Sequence, residues 1–238
     1  MKNNYWIVDE WLIFKPTFNE ELDEYYNIIN KYEKIIFSNY NNPLIAIETN
    51  NEFNNNSNYI ESKFNQEIDL SNNINLTHLN FGLFFNQEID LSNNINLTHL
   101  TFGEYFNQKI DLSNNINLTH LTLGINFNQK IDIPLNVKSL TMDGCKNQYV
   151  IDYLHNNIEE LTIFYSNLNL DNLPNSIKKL TFKCYNKEIN NLPNSIEYLK
   201  LKNYYLKIRK IPKNLKTVKC NKEYEYINDF KDYEVIYY

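Results

Sequence analysis

The chain has 238 residues, a mean hydropathy of -0.55, 42% hydrophobic residues and a formal net charge of -6. It shows no run near the ~18 apolar residues of a membrane helix. Three scattered cysteines (Cys145, Cys184, Cys220) argue against a disulfide framework or zinc site, and apolar runs broken at Asp9 and Glu10 do not read as a secretion signal, so an intracellular, cytoplasmic protein is expected.

In chain order, residues 1–17 read as an N-terminal cap, with Trp6, Trp11, Ile13 and Phe14 covering the first coil. Residues 18–63 read as two degenerate windings starting at Phe18 and Tyr40. From Phe64 the pattern is explicit. FNQEIDLSNNINLTHLNFG is followed by near-copies at 85 and 106, a step of 21 residues. Aligned on the Leu-x-apolar segment, Leu79, Leu100, Leu121, Leu140, Leu161, Leu180, Leu199 and Val218 are separated by 21, 21, 19, 21, 19, 19 and 19 residues. The shorter windings replace LSNNINLTHL by forms such as LPNSIKKL, with Pro134, Pro174, Pro193 and Pro212 each six residues before the anchor. Regular windings thus occupy 64–222, and 223–238 reads as a C-terminal cap, the whole forming one continuous domain.

A period of 19 to 21 residues is too short for two packed helices and suits one strand, one turn and an irregular return arc. The expectation is a right-handed, leucine-rich-repeat-like solenoid, with a parallel sheet on the concave face and irregular or short helical arcs on the convex side. Side chains alternate along a strand, so Leu100 and Phe102 should point inward and His99 and Thr101 outward. Phe64, Ile68, Ile74, Leu76, Leu79 and Phe81 are expected to form one core layer. Gly82, Gly103, Gly124 and Gly144 follow the strand, where positive φ would let the chain turn away. Asn65, Asn86, Asn107, Asn128 and Asn147 are expected to point inward and build an amide ladder satisfying backbone groups between windings.

FNQ followed by isoleucine, and LPNSIKKLTF (173–182) with LPNSIEYLKL (192–201), resemble the FNIP repeat, a leucine-rich-like class abundant in social amoebae and large DNA viruses of amoebae. The likeness covers about 64–220, although Glu67, Glu88, Lys109 and Lys130 stand where that family has proline. The resemblance implies a repeat scaffold in the host cytoplasm, if viral. Members often carry an F-box, but the seventeen or so residues before the first winding are too few for one, so a ubiquitin-ligase role is not carried over.

No catalytic motif stands out: G-x-S-x-G, a phosphate-binding glycine loop and HExxH are absent. The protein is therefore read as a non-enzymatic protein-binding scaffold without cofactor or metal. His78, His99 and His120 fall in one column of the exposed sheet, beside Asn80, Thr101, Thr122 and Thr141. With Lys179, Lys200 and Lys219 they are the candidate partner-contact residues. Charge is unevenly placed: residues 176–222 hold 13 basic and 2 acidic side chains, against 9 and 22 in residues 1–175. Another protein is the expected partner, and the acidic half of a second copy would also fit. The alternative is binding of nucleic acid or an acidic partner through 178–222. Nucleic acid is disfavoured by the use of lysine over arginine and by nearby acidic residues.

Overall fold

The computed structural model describes residues 4–49 and 58–238, in two compact units, Met1–Asn136 and Val137–Tyr238. Part of the winding expected from Tyr40, residues 50–57, and the first three residues of the expected cap lie outside the described residues.

The first unit opens with a hairpin, β1 (Tyr5–Val8) antiparallel to β2 (Trp11–Phe14). From β2 onward the pairing is parallel, through β3 (Lys34–Phe37), β4 (His78–Asn80), β5 (His99–Thr101) and β6 (His120–Gly124). The anchors pair in register: Leu12 on Ile35, Ile35 on Leu79, Leu79 on Leu100, Leu100 on Leu121. All are at most 1% exposed, and burying such a side chain contributes about 1.5–3 kcal/mol. The chain is thus a leucine-rich-like solenoid in which each winding shelters its neighbours.

The core of this unit is a double file of phenylalanines. Phe37 ends β3, Phe81 and Phe102 directly follow β4 and β5, and Phe64, Phe85, Phe106 and Phe127 come from the F-N-Q phrase; all are buried. The files interlock, with Phe81–Phe85 and Phe102–Phe106 ring centroids 3.8 Å apart. Equivalent rings measure the local distance between windings. The histidine column steps by 4.1–4.2 Å, the strand-end phenylalanines from Phe81 to Phe102 by 5.8 Å, and the arc phenylalanines from Phe85 to Phe127 by 6.0–6.1 Å. The windings fan apart toward the arcs, so the sheet face of this unit is concave.

Two expectations are corrected here. Ile74 is 58% exposed, as are Ile95 and Ile116 at similar levels, so this position leaves the core layer and sits on the arc surface. In its place the buried position is Asn73, repeated at Asn94 and Asn115. The glycines also act differently. Gly82, Gly103 and Gly124 carry no positive φ; an added Cβ at Gly103 would lie 2.0 Å from the Gly82 carbonyl oxygen, so close approach of windings is what demands glycine. Only Gly144 has the positive φ, 72°.

A short helix α1 (Tyr26–Ile29) precedes β3, and α2 (Pro43–Glu48) follows it, capped by Asn42 and started by Pro43. β3 pairs directly with β4, so no strand among the described residues of 40–63 enters this sheet. Instead α2 lies over the outer sheet face, where Ile13, Ile36, Tyr40 and Ala46 are fully buried with Trp6, Trp11, Ile45 and Tyr59 around them. Of the four residues expected to cap the first coil, Trp6, Trp11 and Ile13 belong to this second cluster, while Phe14 stacks in the main core on Phe18 and Phe37.

The second unit continues the plan with β7 (Ser139–Asp143), β8 (Glu160–Phe164), β9 (Lys179–Lys183), β10 (Tyr198–Lys202), β11 (Thr217–Cys220) and β12 (Glu234–Tyr237), all parallel. A short helix α3 (Gln148–Asp152) lies in one arc and a 3-10 turn, Ile227–Phe230, precedes β12. Tyrosines take over the arc core: Tyr185, Tyr204 and Tyr224 are buried, and Tyr185 and Tyr224 donate their hydroxyls to the Leu168 and Leu206 carbonyls of the preceding winding, at 2.6 and 2.8 Å. Their rings step by 6.2–6.3 Å, wider than the ~4.8 Å between strands, so this sheet face is concave as well.

The change from 21 to 19 residues goes with a change in the hydrogen bonds between windings. In long windings Asn94 Nδ2 donates to the Leu70 and Asn73 carbonyls, and Asn115 Nδ2 to those of Leu91 and Asn94, all at 2.8–3.0 Å. In short windings proline occupies that place, and the serine two residues on bonds a different carbonyl of the preceding winding: Ser176 Oγ donates to the Ile158 carbonyl and Ser195 Oγ to that of Ile177.

Candidate binding face

The outward positions of the strands form columns fixed by register. His78, His99 and His120 pair in line, as do Asn80, Thr101 and Thr122. In the second unit Ser139, Glu160, Lys179, Tyr198 and Thr217 form one column and Thr141, Thr162, Thr181, Lys200 and Lys219 the next. Each expected contact residue therefore stands where alternation placed it. Asn80 is the exception in exposure. It pairs with Ile36 under the edge of the α2 cluster and is only 6% exposed, so it is not displayed as Thr101 is.

The histidines are stacked face to face, planes within 9° of parallel. Each Nδ1 lies 2.9 Å from the hydroxyl of the preceding threonine, Thr77, Thr98 or Thr119. Those hydroxyls already donate their single proton to the Glu33, Thr77 and Thr98 carbonyls, at 2.9–3.1 Å. The ring contact must then run from Nδ1–H to the threonine oxygen, which leaves Nε2 as a proton acceptor wherever the ring is uncharged. Burial, with the Lys34 ammonium beside His78 and the neighbouring rings beside His99, lowers both groups to about 4 from an ordinary 6.5. At neutral pH His78 and His99 are uncharged acceptors. Parallel rings aim their nitrogens alongside one another and do not converge, and no group of three potential metal ligands occurs among the described residues.

Below the face, three sets of side chains lock the windings. The amide ladder holds in its expected place: Asn86, Asn107 and Asn128 N–H groups donate to Oδ1 of Asn65, Asn86 and Asn107, all at 2.8 Å, and Asn65 N–H donates to Asn19. It is not inward, however; Asn65, Asn86 and Asn107 are half-buried and Asn128 is exposed. Asn147 departs from it, sitting buried at the start of α3 while Gln148 bonds Asn169 of the next winding. Asp69, Asp90 and Asp111 accept from the hydroxyls as well as the N–H groups of Ser71, Ser92 and Ser113, which lowers their carboxyl pKa values and makes them turn-formers. Along the flank of the second unit Lys138, Glu159, Lys178, Glu197 and Lys216 alternate in charge, with Glu159 bridged to Lys138 and Lys178, and Glu197 to Lys216.

That flank divides the basic stretch. Lys178 and Lys216 belong to the alternating ladder, and Arg209 is bound to Glu188. Lys179 is bound to Glu160 on the face at 2.5 Å. Lys183, Lys200, Lys202 and Lys219 instead stand together on the faces of β9, β10 and β11. The sequence alone singled out Lys179 with Lys200 and Lys219; register now adds Lys183 and Lys202. Lys183 lies over the Phe164 ring at 4.7 Å, and Lys219 and Lys202 over Tyr238 at 5.0 and 6.0 Å.

Residues 164–204 match the FNIP Repeat family. The chain is also similar to a solved giant-virus protein, CroV588, described as a novel circular LRR protein structure. The identity is 29% over 91% of this chain, with a TM-score of 0.53, and the chain spans 38% of that protein's length. No curated protein matches the chain. Windings, register and likeness agree that this is a leucine-rich-repeat-like solenoid resembling the FNIP repeats.

Proposed function

We propose that the protein is a non-enzymatic scaffold that binds another protein on the exposed, concave faces of its sheets. The observation that supports this is the strand register, which holds His99, Thr101 and their equivalents in a fixed two-dimensional array above a core made by neighbouring windings. Preorganised side chains lose little freedom on binding, so a modest contact area suffices. Solenoids of this kind use such extended surfaces for recognition. In the first unit the array offers neutral acceptors and hydroxyls, in the second lysines and tyrosines.

The test compares face with arc. Thr101→Arg with Thr122→Arg should abolish retention of a partner captured from the native cell, while Asn114→Arg on the exposed arc should leave it intact. Equal retention by both variants would contradict the proposal. The second reading, binding of nucleic acid through 178–222, draws on the Lys183, Lys200, Lys202 and Lys219 group. It predicts a salt-dependent mobility shift of mixed RNA or DNA that disappears when these four are changed to glutamate.

A further inference from the structure

Lys183, Lys200, Lys202 and Lys219 form a compact lattice: Lys200 pairs with Lys219 and Lys202 with Lys183 across adjacent strands. The other outward positions of β9–β11 are Lys179, Thr181, Tyr198 and Thr217, and the carboxylates of this face stand on the flanking strands, Glu160 on Lys179 and Glu234 on Thr217. Like charges ~4.8 Å apart across a sheet repel, and an opposing surface of carboxylates with a similar repeat would relieve them.

This chain carries such a surface. In the arcs of the first unit, Glu21, Glu67 and Glu88 are exposed and stacked one per winding, because Asn65 N–H bonds Asn19 and Asn86 N–H bonds Asn65. Two residues along, Asp69, Asp90 and Asp111 form a parallel column, also exposed. The arcs are the convex side of their unit, and the lysines line the concave side of theirs. Sign and curvature match over these windings; the glutamate column ends at Glu88, where Lys109 follows, while the aspartate column runs on through Asp111.

We infer that the lysine lattice on β9–β11 docks the acidic arc columns of a second copy of this chain. The inference rests on the sheet face being a binding surface and names one occupant for its second unit. The two surfaces differ, so the contact is heterologous and either closes a ring or continues from copy to copy. Long lysine side chains accommodate the difference between an arc step near 6 Å and the strand spacing. Screening should weaken the contact, since exposed charges lose their attraction beyond a Debye length of ~10 Å at 0.1 M salt.

Sedimentation velocity of the full chain tests this. At about 50 mM salt the mass should rise above 28.6 kDa with concentration and return to 28.6 kDa at about 500 mM. K183E/K200E/K202E/K219E should sediment as a monomer at low salt, as should E21K/E67K/E88K. Mixing the two should restore association, because one retains the acidic columns and the other the lysine lattice. If the lysine variant does not fold, the glutamate variant carries the test alone. A monomer at every salt concentration, or an oligomer unmoved by the glutamate reversal, would overturn the inference. A monomer that still captures an unlike partner at Thr101 would overturn self-association alone and leave the face as a binding surface.

Discussion

An alanine at position 103 would bring its Cβ to 2.0 Å from the Gly82 oxygen and to 3.0 Å from the Leu83 Cα. Backbone has to move to admit it, so Gly103→Ala should cost about 3 kcal/mol or more in thermal or urea unfolding, well above a typical substitution. In the second unit the turns after β8, β9 and β10 ask something else of the chain. Tyr165, Cys184 and Asn203 sit at φ 45°, 55° and 53°, a region costly for residues with a Cβ. Cys184→Gly should accordingly raise stability by up to about 1 kcal/mol, and a loss on that substitution would contradict the strain.

The histidine column makes a pH prediction. The folded values of His78 and His99, about 4, lie below the ordinary 6.5. A group depressed on folding stabilises above its unfolded value, and that stability is lost as pH falls toward the folded one. Between about pH 6.5 and 4 each should therefore remove roughly 2 kcal/mol after screening by solvent. His78→Asn with His99→Asn should flatten the acid limb of a stability-versus-pH curve in that window. The Asp69, Asp90 and Asp111 carboxyls, held below their usual 3.8, titrate lower and do not confuse the reading.

At the scale of the winding, stability resides in columns that cross from one coil to the next, and the asparagine columns are not equivalent. Asn94 is fully buried and donates to two carbonyls, whereas Asn96 is exposed and donates to Ile74 alone. Asn94→Ala should cost about 2–3 kcal/mol, because two buried carbonyls lose their donors, and Asn96→Ala under about 1 kcal/mol. Equal costs in denaturant titration would contradict this assignment. The period, the anchors and the outward columns were legible in the sequence because identical residues recur at identical steps, and register follows from repetition. The buried Asn73, Asn94 and Asn115 column was not. An apolar Ile74 beside a polar Asn73 suggests the opposite burial, and only the bend that turns Asn73 toward the Ile29 and Tyr32 carbonyls reverses it. The α2 cluster over β1–β3 was hidden for another reason: its residues occur once, so no periodicity announced that they cover the face and bury Asn80.

Across the whole chain, a net charge of -6 conceals two different surfaces: carboxylate columns on the arcs of the first unit and a lysine group on the strands of the second. The sequence placed Lys179, Lys200 and Lys219 on the face by alternation, but it did not show that Lys178 and Lys216 are held in a ladder with Glu159 and Glu197 or that Lys183 and Lys202 join the face group. That division is set by alternation along each strand together with the register between strands. Stability and display then share one origin, since the columns that hold successive windings together also fix the spacing of the outward side chains.

Removal of one complete winding, residues 85–105, tests this most directly. The excision joins Phe84 to Phe106, placing Asn107 over Asn65 and Leu121 over Leu79 as copies of the pairings now made by Asn86 and Leu100. If windings are interchangeable shelters for one another, the shortened protein should stay soluble, keep its β-type far-UV circular dichroism and unfold cooperatively at a modestly lower temperature. An unfolded or aggregated product, when the matching deletion boundaries preserve every repeated contact, would contradict the account.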